Sequence, residues 1–254
     1  MTKNYILITG ATSGIGLACA EKFAAQGNNL ILTGRRNDRL LALKEKLEKE
    51  FQIQVEISCF DIQSKDAVYA SMDKLAHLKN QVSVLINNAG LAAGRDNFQD
   101  ASLDDWEQMI DTNIKGVMYI TQIVSKWMIE NKKGHIINIG STAGKEVYPQ
   151  GNMYCATKHA VDALTKAMRQ DLLPHNIKVT GIHPGAAETE FSLVRFKGDQ
   201  SKADAVYKGF EPLHPEDIAD IIYYTTTLPA NVCINELIVT PTAQANSYLI
   251  NKLN

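Results

Sequence analysis

Cysteine is scarce in this sequence, four residues in 254, and Cys19, Cys59, Cys155 and Cys233 stand far apart, with no C-x-x-C pair and no metal-ligand spacing. That excludes a disulfide-stapled scaffold and a zinc module, and points to buried free thiols in a reducing compartment. No apolar run is long enough to span a bilayer. Met1-Thr2-Lys3-Asn4 leads straight into a strand-like segment, which leaves no room for a signal peptide. The expected location is therefore the cytoplasm. Charge of one sign is missing too: 26 Lys and Arg against 28 Asp and Glu leave a net charge of -2. Nothing in that balance draws the chain to nucleic acid or an anionic membrane. Repeats, low-complexity tracts and linkers are also absent. With 45% hydrophobic and 21% charged residues, the chain reads as one globular domain, 1–254, able to bury a sizeable core.

What the chain does have begins at residue 5. The apolar run Tyr5-Ile6-Leu7-Ile8 enters a turn with glycines at 10, 14 and 16, and an alanine-rich helical pattern follows. Strand, glycine turn and helix together aim backbone N–H groups and the positive end of a helix at one spot, where a pyrophosphate binds readily. Glycine is required because a Cβ would block the turn or the approach of the phosphates. The spacing departs from the usual G-x-G-x-x-G.

After the next strand-like run, Asn29 to Thr33, come Gly34-Arg35-Arg36. An acidic residue there would accept the adenosine ribose hydroxyls, whereas forked guanidiniums suit a 2′-phosphate, so the pattern favours NADP over NAD. A solvated basic loop is the plainer reading. Val55 to Phe60 alternates as a third strand and ends at Asp61-Ile62, where the carboxylate could contact adenine or cap a helix. A fourth strand, Val82 to Ile86, runs into Asn87-Asn88-Ala89-Gly90, amides suited to bracing neighbouring strands beside a cofactor. Asp104 to Met128 reads as one long helix interrupted in character by Asn113, a poor helix former that signals a kink, a polar task, or an amide satisfied by its own backbone. A fifth strand ends at Ser141, a sixth at Pro184-Gly185, and a seventh spans Glu236 to Thr240. Alternating strands and helices predict a Rossmann-type α/β fold: a doubly wound parallel sheet of seven strands, with helices on both faces and a loop or lid at about 186–212.

Tyr154 and Lys158, four apart on a helical pattern, share a face near Ser141. A phenol with a pKa near ~10 is a poor base at neutral pH, and a neighbouring ammonium would favour its phenolate. Tyr154 could then exchange a proton with a substrate oxygen while Ser141 holds that oxygen in line. Singly, each residue is unremarkable. Together, Thr9-Gly10-x-x-x-Gly14-x-Gly16, Asn87 to Gly90, Asn113, Ser141, Tyr154-x-x-x-Lys158 and Pro184-Gly185-x-x-x-Thr189 resemble the short-chain dehydrogenase/reductase family over essentially the whole chain.

The resemblance implies an NADP(H)-dependent oxidoreductase. Tyr154 would be its acid/base, Lys158 would hold the nicotinamide ribose and lower the tyrosine pKa, Ser141 would position substrate, and Asn113 would support a relay water. It implies a cofactor site of Gly10, Thr12, Ser13, Gly14, Ile15, Gly16, Arg35, Arg36, Asp61, Ile62, Asn88, Ala89, Gly90, Tyr154, Lys158, Pro184, Gly185 and Thr189. It also implies a homotetramer or homodimer built through the helices from Lys115 to Met128 and Tyr154 to Leu173, and no resident metal. The run from Thr189 to Asp199 is similar to the 3-hydroxy acid (serine/allo-threonine) dehydrogenase group, in which Arg195, with Lys197, would bind a substrate carboxylate. Glu188 departs from that pattern and would place a repelling charge beside an acidic substrate. The expected reaction is hydride transfer between NADP and a small 3-hydroxy acid, serine-like or 3-hydroxyisobutyrate-like. A broader carbonyl or 3-oxoacyl reductase is the alternative within the class, and a non-catalytic NADP-binding module the alternative outside it. The apolar tail beyond Thr240 is expected to pack on a neighbouring chain.

Overall fold

Seven short runs rich in Val, Ile and Leu become strands: β1 (Tyr5–Thr9), β2 (Asn29–Gly34), β3 (Val55–Cys59), β4 (Val82–Asn87), β5 (Gly134–Ile139), β6 (Ile177–Pro184) and β7 (Glu236–Val239). The computed structural model describes residues 4–253, so Met1 to Lys3, on which the leader argument partly rests, lie outside the described residues. All pairings are parallel, in the order β3-β2-β1-β4-β5-β6-β7. Every residue of β1 and β5 is buried, as expected of strands covered on both faces. The helices α1 (Gly14–Ala25), α2 (Asn37–Phe51), α3 (Lys65–Lys74), α4 (Leu103–Ile110), α5 (Val117–Glu130), α6 (Asn152–Leu172), α7 (Glu190–Arg195), α8 (Gln200–Tyr207) and α9 (Pro215–Thr227) complete the order. Phe23 of α1, Leu40 and Leu47 of α2 and Ile218 and Ile222 of α9 fill a core on one side of the sheet. Val68 and Met72 of α3 join Ile120, Val124 and Met128 of α5 in a core on the other. This is the Rossmann-type arrangement, and strand order reverses between β1 and β4, so their carboxyl ends diverge into a crevice.

Two expectations change. The long helix from Asp104 is two helices, α4 and α5, joined by a π-helical segment, Asp111–Gly116. The wider turn carries Asn113 off the helix register, and its amide closes on the loop after β4, with Oδ1 accepting from Leu91 N–H at 2.8 Å and Nδ2 donating to Leu91 O at 2.8 Å. Of the four free thiols, Cys19 and Cys155 are buried but Cys59 and Cys233 are exposed. The tail beyond β7 turns back onto its own chain, where the buried Gln244 accepts a hydrogen bond from Ala186 N–H at 2.8 Å. Tyr248, Leu249 and Leu253 are exposed. Among the described residues, no helix is long and apolar enough to cross a membrane.

Candidate active site

The loops at the carboxyl ends of the strands enclose a cleft of about 1160 Å³. At its floor the turn after β1 holds Gly10 and Gly14 at φ +66° and +52°, a conformation that L side chains rarely adopt. A Cβ on Gly16 would lie 2.3 Å from Gly10 O and 2.4 Å from Asn88 Nδ2, so the turn closes only on glycine. Asn88 secures it from β4, donating through Nδ2 to Thr9 O (3.0 Å) and Gly10 O (3.1 Å). Thr9 Oγ1 accepts from the N–H groups of Asn88 and Ala89, each at 3.0 Å. Asn87 braces the sheet instead, donating to Thr121 Oγ1 and Asn138 Oδ1 at 2.8 Å.

At one end of the cleft, Arg36 reaches over the glycine turn. Its Nε and Nη2 donate to Thr12 Oγ1 (3.0 and 2.8 Å), Nη2 also donates to Ser13 Oγ (2.8 Å), and Nη1 pairs with Glu190 (2.8 Å). Arg35 pairs with Asp61 at 3.6 Å. Asp61 caps no helix: Ser64 caps α3, while Asp61 Oδ1 accepts from Gln63 N–H. At the other end, Tyr154 and Lys158 are buried on the first turns of α6, and Lys158 Nζ donates to Ile139 O at 2.9 Å. Lys158 Nζ stands 5.9 Å from the Tyr154 ring centre. Ser141, Pro184, Gly185 and Thr189 line the same cleft. Asn113 lies behind it: a Cβ on Gly90 would be 3.2 Å from Asn113 Oδ1 and 3.6 Å from Lys158 Nζ, so amide and ammonium both border the space that this glycine leaves open.

The chain's residues 4–199 match the short chain dehydrogenase family. This chain is a short-chain dehydrogenase. It is 46% identical over 241 residues to sulfoacetaldehyde reductase 2 of Chromohalobacter salexigens, covering 94% of this chain and 95% of that protein. It is 43% identical over 245 residues to the NADP-dependent 3-hydroxy acid dehydrogenase YdfG of Escherichia coli K12, covering 96% and 97%. The closed form of serine dehydrogenase complexed with NADP+ superimposes with a TM-score of 0.90 at 42% identity, covering 98% of this chain and all (100%) of that one. The dehydrogenase is accordingly an NADP-dependent oxidoreductase acting on hydroxyl or carbonyl groups. NADP suits the cleft chemically, since glycines leave room for a pyrophosphate and two guanidiniums stand near them with donors suited to a phosphate.

Electrostatics add a neighbour to the phenol of the dehydrogenase. Burial raises the Tyr154 phenol well above its ordinary range, and the Arg195 guanidinium and hydrogen bonding to Ser141 pull against that rise. Arg195 stacks over the Tyr154 ring at 4.8 Å and over Phe191 at 5.2 Å, and its Nη2 donates to Tyr148 OH at 2.6 Å. Burial also lowers Lys158 to about 8. The unfolded lysine, near 10.5, binds its proton more tightly than the folded one, so the buried ammonium costs stability below about pH 8 and the cost fades as pH rises toward 10.5. Lys158→Met is therefore expected to raise stability at pH 7 by about 1–2 kcal/mol, after the lost hydrogen bond to Ile139 is discounted. Denaturant titrations at pH 7 and pH 10 check this: the gain should shrink at the higher pH, and a loss of stability at pH 7 would refute it.

Two charged residues are placed by the structure. Lys197 lines the cleft with Arg195, its side chain 63% exposed and its ammonium paired with Asp105 at 2.9 Å. Glu188 is exposed and does not line the cleft, while Glu190, two residues on, does. Tyr148, Arg39 and Gln244 escaped the sequence reading. Tyr148 stands six residues before Tyr154, in the loop that leads into α6, and could have been suspected there; nothing local marks Gln244. Behind the cleft, Asp162, His183 and Glu236 converge. The Lys145 ammonium lies 2.7 Å from Asp162 and 2.8 Å from Glu236, and Lys166 stands 2.7 Å from Asp162, so two lysines balance these two acids.

Proposed function

We propose that the dehydrogenase interconverts a small hydroxylated organic anion and the matching carbonyl compound, with Tyr154 exchanging the proton. The observation that carries this reading is Arg195: a guanidinium held against the Tyr154 ring, with a buried Nε that has no partner among the described residues. A cation fixed beside the proton donor selects substrates with a carboxylate or sulfonate a short distance from the reacting oxygen. The named substrates of the relatives, 3-hydroxy acids and sulfoacetaldehyde, share that character.

Gly10, Gly14, Gly16 and the α1 N-terminus would take the pyrophosphate, with Thr12, Ser13 and Ile15 lining it. Arg35 and Arg36 would take the 2′-phosphate, Asp61 and Ile62 would border the adenine, and Asn88, Ala89, Gly90, Pro184, Gly185 and Thr189 would flank the nicotinamide half. The bound cofactor supplies or accepts the hydride. Ser141 would hold the reacting oxygen, Lys158 would orient the ribose, and Asn113 would keep a relay water beside Lys158 across Gly90. The whole chain would work as one unit with 186–212 as its lid. A cytoplasmic dimer or tetramer through α5 and α6 completes the reading.

Turnover should be compared with both nicotinamide cofactors on 3-hydroxyisobutyrate, 3-hydroxypropionate, serine, sulfoacetaldehyde and a neutral ketone of similar length. An anionic substrate with NADP(H) is expected to exceed the neutral one in kcat/KM by about 10²-fold. Equal efficiency would favour a broad carbonyl reductase.

A further inference from the structure

The arginine that reaches over the glycine turn already holds a carboxylate. Glu190, at the start of α7, places one carboxylate oxygen 2.8 Å from Arg36 Nη1 and the other 2.7 Å from Arg39 Nη1. Burial pushes the Glu190 carboxyl up, but hydrogen bonds and charge from Arg36 and Arg39 outweigh it and leave the group below its ordinary range, hence ionised. The contact joins the turn after β2 to the lid, parts of the chain 154 residues apart. It lies beside a second contact across the same gap, since a Cβ on Gly14 would be 3.2 Å from the Thr189 side chain. With Thr12 and Ser13 on the remaining edge of Arg36, a phosphate that approaches Nη1 must compete with Glu190.

We propose that Glu190 is a lid latch and an internal competitor for the 2′-phosphate: it occupies Arg36 and Arg39, ties α7 across the cleft mouth, and is released when a 2′-phosphate takes those guanidiniums. A phosphate monoester carries more charge and more acceptor oxygens than a carboxylate, so it can win this exchange, whereas a dinucleotide with a free 2′-hydroxyl cannot. Glu190 thereby couples cofactor discrimination to lid release. The inference rests on the proposal that Arg36 reads the 2′-phosphate.

Calorimetry with adenosine 2′,5′-bisphosphate and with ADP, on the full chain and on Glu190→Gln, separates the two. The bisphosphate is expected to bind the variant about three- to tenfold tighter than wild type, the range two exposed ion pairs allow, with ADP unchanged. Bisphosphate affinity that stays the same or weakens in the variant, while wild type still prefers bisphosphate to ADP, overturns the latch alone. A wild type that binds both ligands equally overturns the reading of Arg36 and the latch together. Hydrogen exchange gives a second measurement: the bisphosphate should speed exchange of the backbone amides of 191–196 in wild type, as Glu190→Gln should without ligand. Protection of those amides by the bisphosphate in wild type would contradict release.

Discussion

Tyr154→Phe is expected to lower kcat by about 10²–10⁴-fold, the usual contribution of a positioned general acid or base, while titrated NADP(H) affinity stays unchanged. The substitution removes one oxygen and keeps the ring that packs against Phe191 at 5.4 Å and under Arg195, so the site's packing survives. The direction of the pKa shift sets the pH dependence. A phenol raised by burial is protonated at neutral pH, so carbonyl reduction should hold steady through neutrality and fall only in alkali. Alcohol oxidation needs the phenolate and should rise with pH over the same range. Wild-type and variant pH profiles, measured in both directions, check this. A variant with most of its turnover intact would refute proton transfer by Tyr154, and no turnover in either protein would support a cofactor-binding module.

Arg195→Met should divide substrates by charge. Loss of a charge-assisted hydrogen bond in a water-poor site costs about 1.5–3 kcal/mol, or roughly 10- to 150-fold in kcat/KM for an anionic substrate. A neutral ketone should lose little, since methionine restores apolar volume over the Tyr154 ring. Because Arg195 also works against the burial that raises the phenol, its removal should move the alkaline limb of the reduction profile to higher pH. Steady-state kinetics on one anionic and one neutral substrate decide it; equal losses on both would show that Arg195 supports the fold of the lid rather than the recognition of charge.

The fold and the glycine turn were legible because both are written locally. Strand runs, glycines at 10, 14 and 16 and the pair Tyr154 and Lys158 obey short-range periodicities, and the doubly wound order follows from their alternation. The partnerships of charged residues were not legible. Arg195 and Lys197 are near neighbours and looked equivalent, yet one stacks on Tyr154 while the other pairs with Asp105 at the surface. Glu188 looked like the problematic acid, but Glu190 is the one in the cleft. Asn113 could be recognised as out of place in a helix; that it clamps Leu91 from a π-helical turn could not.

Sequence alone determined the parallel α/β architecture and the glycine turn after β1, because each depends on steric and hydrogen-bonding rules acting over a few residues. Tertiary structure alone decided which cation meets which anion. Arg36 with Glu190, Lys145 with Glu236 and the tail's Gln244 with Ala186 join segments far apart in the chain. Hydrogen bonds act over about 3 Å and screened Coulomb energy over roughly 10 Å, so both answer to distance in space and leave no trace in spacing along the sequence.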